Sequence, residues 1–159
     1  MNIKGLDPIK AGFMKDKIEL IKELMNIYGK NVLDVARQLS QKGTLLEWKR
    51  LGEQQTSITI ASIVDVLWNN FCQQDGLEFT MQRSENKIQM HCTYCPWVEV
   101  AKAAGSTEIG YQLLCHSDYA IVEGFNQAAS QNERPIKFAR QRTLMQGNEC
   151  CDHCYYYDV

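Results

Sequence analysis

The sequence predicts an α+β fold: a helical N-terminal half followed by a four-stranded antiparallel sheet of two hairpins with connecting helices. Three observations lead there. Apolar residues recur at helical spacing before Gly76, and they alternate with polar ones at a period of two after it. Polar turn residues then sit between paired alternating runs, the signature of hairpins. Helices first and hairpins later, with helices between the hairpins, give an α+β arrangement. The 159 residues fit a single domain, 1–159, with a helical part at 1–75 and a sheet-and-helix part at 76–158.

The elements follow in order. Asp7-Pro8 reads as an N-cap followed by proline at the first helical position, opening a helix that stops near Gly29. Ile9, Phe13, Ile18, Leu20, Ile21, Leu24, Met25 and Tyr28 give it an apolar stripe. A second helix runs from Asn31 to about Gln41 and ends at Gly43, and a short third covers Leu45 to about Gln54. Ser57 to about Gln73 reads as a buried helix, with a strand as the alternative because of its Ile and Val content. Leu77–Gln82 and Lys87–Cys92 alternate around Ser84-Glu85-Asn86, a hairpin. Pro96 opens a short helix ending at Gly105, and a longer helix follows from about Ser106 to Phe125. Pro135–Met145 and Cys150–Tyr157 make a second hairpin around Gln146-Gly147-Asn148.

Composition excludes several functions. Lys+Arg 17 against Asp+Glu 19 gives a net charge of −2, without the basic stripe that a phosphate backbone requires, so nucleic acid is not an expected partner. The N-terminus lacks the apolar core of a signal peptide, and the longest apolar stretch, Ile58–Trp68, is too short for a bilayer. The expectation is a cytoplasmic protein, with no membrane partner and a small-molecule substrate. Trp48, Trp68 and the apolar N-terminal helices could supply a homodimer surface. There is no GxGxxG, P-loop, HExxH, GxSxG or EF-hand pattern, which leaves nucleotide and serine-hydrolase readings without support.

The thiols carry the chemical signal. Seven cysteines, an odd number, argue against a disulfide framework, and all three histidines adjoin a cysteine. Cys92/Cys95 and Cys151/Cys154 resemble zinc-ligand pairs. On a regular strand, however, Cys151 and Cys154 face opposite ways, whereas Cys151 and His153 share a face. Cys95, before Pro96, falls at a helix N-cap, where unpaired amides lower a thiol pKa. It is therefore a candidate ligand, nucleophile or redox thiol. Cys92 continues the apolar parity of Ile88 and Met90 and reads as core, and Cys72 reads as packing. Asp118 interrupts an apolar stripe one turn from Cys115, a candidate base. His116 reads as a surface residue. Arg134, Arg140 and Arg142 share a strand face and could clamp a carboxylate, although such a row is commonly just solvated.

The segments Cys95-Pro96, GYQLLCHSDYAIVEGFN (110–126) and IKFARQRTLMQGNECCDHCY (136–155) resemble the L-2-amino-thiazoline-4-carboxylic acid hydrolase family. They are more distantly similar to 4-vinyl-reductase-type ligand-binding domains. The likeness covers roughly residues 76–158, and Cys95, Cys115, Asp118, Asn126, Gly147, Cys151 and Asp152 fall on its pattern. Asn148 departs from the usual Asp after the glycine, and Cys92, Cys150 and Cys154 are additions. The resemblance implies hydrolytic opening of a cyclic 2-amino-thiazoline to an N-carbamoyl amino acid. In that reading Cys95 and Asp118 are catalytic, and Arg140, Arg142 and Asn126 bind substrate. Zinc, or iron, is held by Cys95, Cys115, Cys151 and His153. With one coordination position open the metal would activate water; with all four ligands engaged it would be structural. A non-catalytic binding or sensor module, and a thiol redox or metal-handling protein, are the competing readings.

Overall fold

A computed structural model describes residues 2–130 and 133–158. It has the expected α+β class: helices fill the N-terminal half, and a four-stranded antiparallel sheet of order β1-β2-β4-β3 follows. Helix α1 spans Pro8–Tyr28. The Asp7 carboxylate accepts hydrogen bonds from the Ile9 and Lys10 amides at 2.8 and 3.1 Å, so the predicted cap forms.

Helix α2 runs unbroken over Asn31–Gly52, where two helices were expected. Gly43 costs a helix interior about 1 kcal/mol relative to alanine, and packing on both sides of it outweighs that. Trp48 of α2 is buried beside Phe125 of helix α6 (Asp118–Gln127). At the crossing, Gly124 of α6 lies so near α2 that an added Cβ would sit 2.3 Å from the Leu45 carbonyl oxygen. Because the obstacle is backbone, Gly124→Ala is expected to destabilise the fold by about 1–3 kcal/mol, as overpacking does. Urea denaturation would check this.

The buried helix expected after Ser57 is two segments. Helix α3, Ile60–Val64, is capped reciprocally by Thr59 and Ser62, and a π-helical stretch continues over Asp65–Cys72. Its wider i→i+5 turns bring Leu67, Trp68, Phe71 and Cys72 to the wall of one cavity.

Strands β1 (Glu78–Ser84) and β2 (Lys87–Tyr94) form the first hairpin as expected, pairing Ser84 with Lys87. Strand β4, Cys151–Tyr156, pairs with β2 so that three buried pairs stack across the sheet: Ile88–Tyr155, Met90–His153 and Cys92–Cys151. The period-two alternation puts Cys151, His153 and Tyr155 on the inner face. Tyr155 is fully enclosed, and its hydroxyl accepts from Trp68 Nε1 at 3.0 Å. Trp48 and Trp68 are thus core residues and do not form a dimer surface. The exposed apolar residues of α1 and α2 include Phe13, Leu20, Val35 and Leu39.

The second hairpin is looser than expected. Strand β3 is only Lys137–Ala139, and the chain from Arg140 to Cys150 is a wide connection containing a 3-10 turn at Leu144–Gln146. Gly147 closes that turn at φ 85°, a left-handed conformation that suits glycine. Side chains hold the connection where strand pairing would have. Asp152 accepts from the Gln141 and Arg142 amides at 2.9 and 2.6 Å, and Asn126 exchanges two hydrogen bonds with the Ile136 backbone.

Helix α4 (Pro96–Ala103) begins at Cys95 as expected. The single helix expected over 106–125 is broken. Helix α5 ends at Leu113 after starting at Thr107, a 3-10 turn covers Cys115–Ser117, and α6 follows. The carbonyls freed by the break find side-chain donors. Ser40 and Ser117 hydroxyls donate to Leu113 O at 2.8 and 3.0 Å, and Arg140 donates to Cys115 O at 2.9 Å. No helix among the described residues is long and apolar enough to cross a membrane.

Candidate active site

A cavity of about 200 Å³ lies between the inner face of the sheet, the π-helical stretch and the broken α5–α6 segment. Its walls are largely apolar, from Leu67, Trp68, Phe71, Leu77, Trp97, Leu114 and Met145. Set into them are the thiols of Cys72, Cys92, Cys95, Cys115 and Cys151, together with Asp75, Asp118, Arg140 and His153. The 3-10 turn explains how Cys115 and Asp118 come to share this wall, because residues three apart eclipse in that geometry.

The polar centre is a connected chain. Arg140, whose side chain is 2% exposed, forms an ion pair and hydrogen bond with Asp118. The same carboxylate oxygen lies 3.1 Å from His153 Nε2. A carboxylate accepts, so this contact places the imidazole proton on Nε2. His153 Nδ1 is buried and has no hydrogen-bond partner. With Nε2 protonated, Nδ1 is an acceptor lone pair, the form a base requires. The ring is fixed edge-on against Trp68, with centroids 4.9 Å apart.

Two residues away on the same strand face, Cys151 differs from the other thiols. A hydrogen bond from the neighbouring Cys92 thiol lowers its pKa to about 6. Burial opposes this shift, while the Leu144 amide at 3.2 Å adds to it. Cys92 moves the opposite way for the same reason: as donor to Cys151, and buried, it holds its proton strongly.

Cys95 corrects the expectation from its N-cap position. The Trp97 and Val98 amides at the start of α4 do pull its pKa down, but burial is the larger effect and pushes the thiol up to about 12. Cys115 and Cys72 are also raised well above the ordinary thiol range, chiefly by burial and secondarily by Asp118. Helix-start amides lower a thiol pKa only where water or a cation offsets desolvation.

Of the substrate-binding candidates, only Arg140 is at the cavity. Arg142 is exposed and pairs with Asp152 at 3.3 Å. Asn126 is taken up by Ile136, and Arg134 donates to Asp158 O at 2.6 Å. His116 is half-buried, with Nδ1 2.8 Å from Gln41 Nε2. The seven positions of the family pattern therefore divide in two. Cys95, Cys115, Asp118 and Cys151 line the cavity, while Asn126, Gly147 and Asp152 shape the connection that delivers Arg140 to it.

The four residues expected to bind zinc, Cys95, Cys115, Cys151 and His153, all reach this cavity. Yet among the described residues no group of three or more His, Cys, Asp or Glu side chains is disposed to hold a metal ion.

Sequence reasoning missed the Cys92–Cys151 contact, the role of His153 as a partner of Asp118, and the part played by the π-helical stretch. Parity puts Ile88, Met90 and Cys92 on one core face of β2 and Cys151 with His153 on one face of β4, but which residues face each other across the two strands is fixed by the tertiary fold.

A family model described as L-2-amino-thiazoline-4-carboxylic acid hydrolase matches residues 9–155, extending the likeness into the N-terminal helices. No match is found among the curated proteins. Among solved structures, the chain is similar to a trafficking protein particle complex subunit 3 from Naegleria fowleri covalently bound to palmitic acid. The TM-score is 0.54 at 8% identity, covering 96% of this chain and 98% of that one. A likeness at that identity concerns the fold alone.

Proposed function

The chain belongs to the L-2-amino-thiazoline-4-carboxylic acid hydrolase family, and we propose that it opens a 2-amino-thiazoline-4-carboxylate-type ring to an N-carbamoyl amino acid, with Cys151 as nucleophile. The observation that carries this reading is the low-pKa thiol of Cys151 beside a His153 whose other nitrogen is held by Asp118. Unrelated hydrolases combine the same three kinds of group, nucleophile, base and orienting carboxylate; here the base is held by Asp118 and its free nitrogen makes no hydrogen bond to Cys151.

The Cys151 thiolate attacks C2 of the ring, the amidine carbon, and the bond from C2 to the ring sulfur breaks. The proton of the ring's amidinium form passes to that sulfur as it leaves as the product's thiol, and the proton His153 takes up in the next step returns to solvent. The substrate is then held to Cys151 through an isothiourea linkage. Water, losing a proton to His153 Nδ1, adds to the same carbon, and Cys151 departs as thiolate. The sum is one water consumed, one carbon–sulfur bond broken, one urea carbonyl formed and the enzyme regenerated. Asp118 keeps His153 oriented, and Arg140 fixes Asp118. Arg140 is also the only Lys or Arg among the cavity-lining residues, and so the cation a ring carboxylate would meet. Apolar walls exclude bulk water until the ring sulfur has left. Function as free thiols suits a reducing compartment such as the cytoplasm.

The pH dependence tests the assignment. Below about 6 Cys151 is a thiol and attack fails; above it the thiolate is present. Accordingly kcat/KM for 2-amino-thiazoline-4-carboxylate is expected to rise tenfold per pH unit below about 6 and level off above. A limb centred near 9, the ordinary thiol range, would contradict it.

A second reading, a non-catalytic binding module, draws on the apolar lining of the cavity and on the fold shared with a chain that carries covalent palmitic acid. Incubation with a long-chain acyl thioester separates the two readings. Stable acylation of a cavity cysteine without turnover of the thiazoline favours the module; turnover without stable acylation favours the hydrolase.

A further inference from the structure

We propose that Cys92 and Cys151 form a redox-modifiable dithiol, closing to a cross-strand disulfide under a hydroperoxide and thereby switching the cavity off. The pairing carries the inference. Cys92 and Cys151 are direct partners in the β2–β4 register, and both are free thiols buried on the inner face. Directly opposed residues of an antiparallel pair lie about 4.5–5.5 Å apart at Cα. A disulfide spans about 4.4–6.8 Å, so the bond needs no movement of the strands.

The Cys92 S–H has two acceptors within reach, Tyr94 O at 3.2 Å and the Cys151 sulfur. Cys154, on the other face of β4, is directed away from this pair. Cys95 and Cys115 also line the cavity, but Cys92 and Cys151 are the two lining thiols that face each other directly across paired strands.

The chemistry balances with hydrogen peroxide as the two-electron oxidant. The Cys151 thiolate attacks one peroxide oxygen, the O–O bond breaks, and a sulfenic acid forms with release of hydroxide, which takes up a proton to become water. The Cys92 sulfur then attacks the Cys151 sulfur. The sulfenic oxygen leaves with the Cys92 proton as a second water, and the sulfur–sulfur bond closes. Two thiols and one peroxide give one disulfide and two waters, and a dithiol reductant reverses it. The bond rests on the strand register alone. Its consequence for activity rests on Cys151 being the nucleophile, since a disulfide removes the attacking lone pair.

The test treats the full chain with hydrogen peroxide, blocks remaining thiols by alkylation and maps peptides by mass spectrometry, with thiazoline turnover followed in parallel. The expected result is a Cys92–Cys151 linked peptide lacking two hydrogens, with turnover lost and then restored by dithiothreitol. Cys92→Ser should abolish the link and let Cys151 be trapped as a sulfenic acid by dimedone, whereas Cys154→Ser should form the link as the parent does. Direct over-oxidation of Cys151 in the parent chain, or a link from Cys151 to Cys95, would overturn the proposal. A mapped Cys92–Cys151 link with turnover intact would uphold the bond but overturn both the switch and the assignment of Cys151 as nucleophile.

Discussion

Cys151→Ser is expected to lower kcat/KM for 2-amino-thiazoline-4-carboxylate at least about a thousandfold while leaving the fold intact. Serine keeps the size of the side chain and its place among Cys92, Leu144 and His153. It cannot keep the charge, because an alcohol stays protonated where the thiol ionises near 6. Losing the nucleophile removes an interaction made along the whole reaction path, so kcat falls rather than KM rising. The contrast that gives the prediction its meaning is Cys95→Ser. Cys95 lines the same cavity, but burial keeps its thiol protonated, with a pKa pushed up to about 12. It therefore contributes shape, and its loss is expected to cost no more than about tenfold. Equal losses for the two variants would return the nucleophile's role to the helix-start cysteine. Matched thermal melts of the variants separate chemistry from folding.

The largest stability effect is expected at Arg140. Its guanidinium is almost wholly enclosed, pairs with Asp118 and donates to Cys115 O at 2.9 Å, the carbonyl released where α5 breaks. Arg140→Ala strands the Asp118 carboxylate, which is only 18% exposed, and leaves the Cys115 carbonyl with the Asp118 amide as its hydrogen-bond donor. Breaking such a pair from one side costs about 3–5 kcal/mol, a fall in Tm of about 10 °C for a chain of this size. Most of the cost is that of an unpaired buried charge, so removing both charges should be gentler. The double variant Arg140→Met, Asp118→Leu is expected to recover most of the lost stability while remaining inactive. Urea denaturation of the single and double variants would measure this. A single variant within about 1 kcal/mol of the parent would mean that water, and not the pair, satisfies Asp118.

How far the sequence could be read depended on how local the cause was. The Asp7-Pro8 cap, the β1–β2 hairpin and the shared face of Cys151 and His153 follow from neighbouring residues and strand parity, and all three form. Elements decided by partners far along the chain were misjudged. Gly43 reads as a helix stop until α6 is packed against α2 through Gly124. The run from Ser106 to Phe125 reads as one helix until Ser40 and Arg140 take the carbonyls that a break exposes. Arg134, Arg140 and Arg142 read as one strand face, but β3 stops at Ala139, so Arg140 turns inward while Arg142 stays outside with Asp152.

The same division holds for the site. Cys95, Cys115, Asp118, Cys151 and His153 were all marked by sequence, and all line one cavity. Their protonation was not legible, because it depends on burial and on which thiol lies across the sheet. A helix start lowers a thiol pKa in water, yet around Cys95 desolvation is larger. Cys92, which reads as plain core, is the residue that moves Cys151 most.

The most direct test of the account is to trap the intermediate. Protein mixed with excess 2-amino-thiazoline-4-carboxylate and quenched in acid within the first turnovers should carry one ring-opened substrate per chain by intact mass, mapping to Cys151. The adduct should be missing from Cys151→Ser and present in Cys95→Ser. Turnover that proceeds with no adduct on any cysteine, or with an adduct on Cys95, would contradict the assignment of Cys151 as nucleophile.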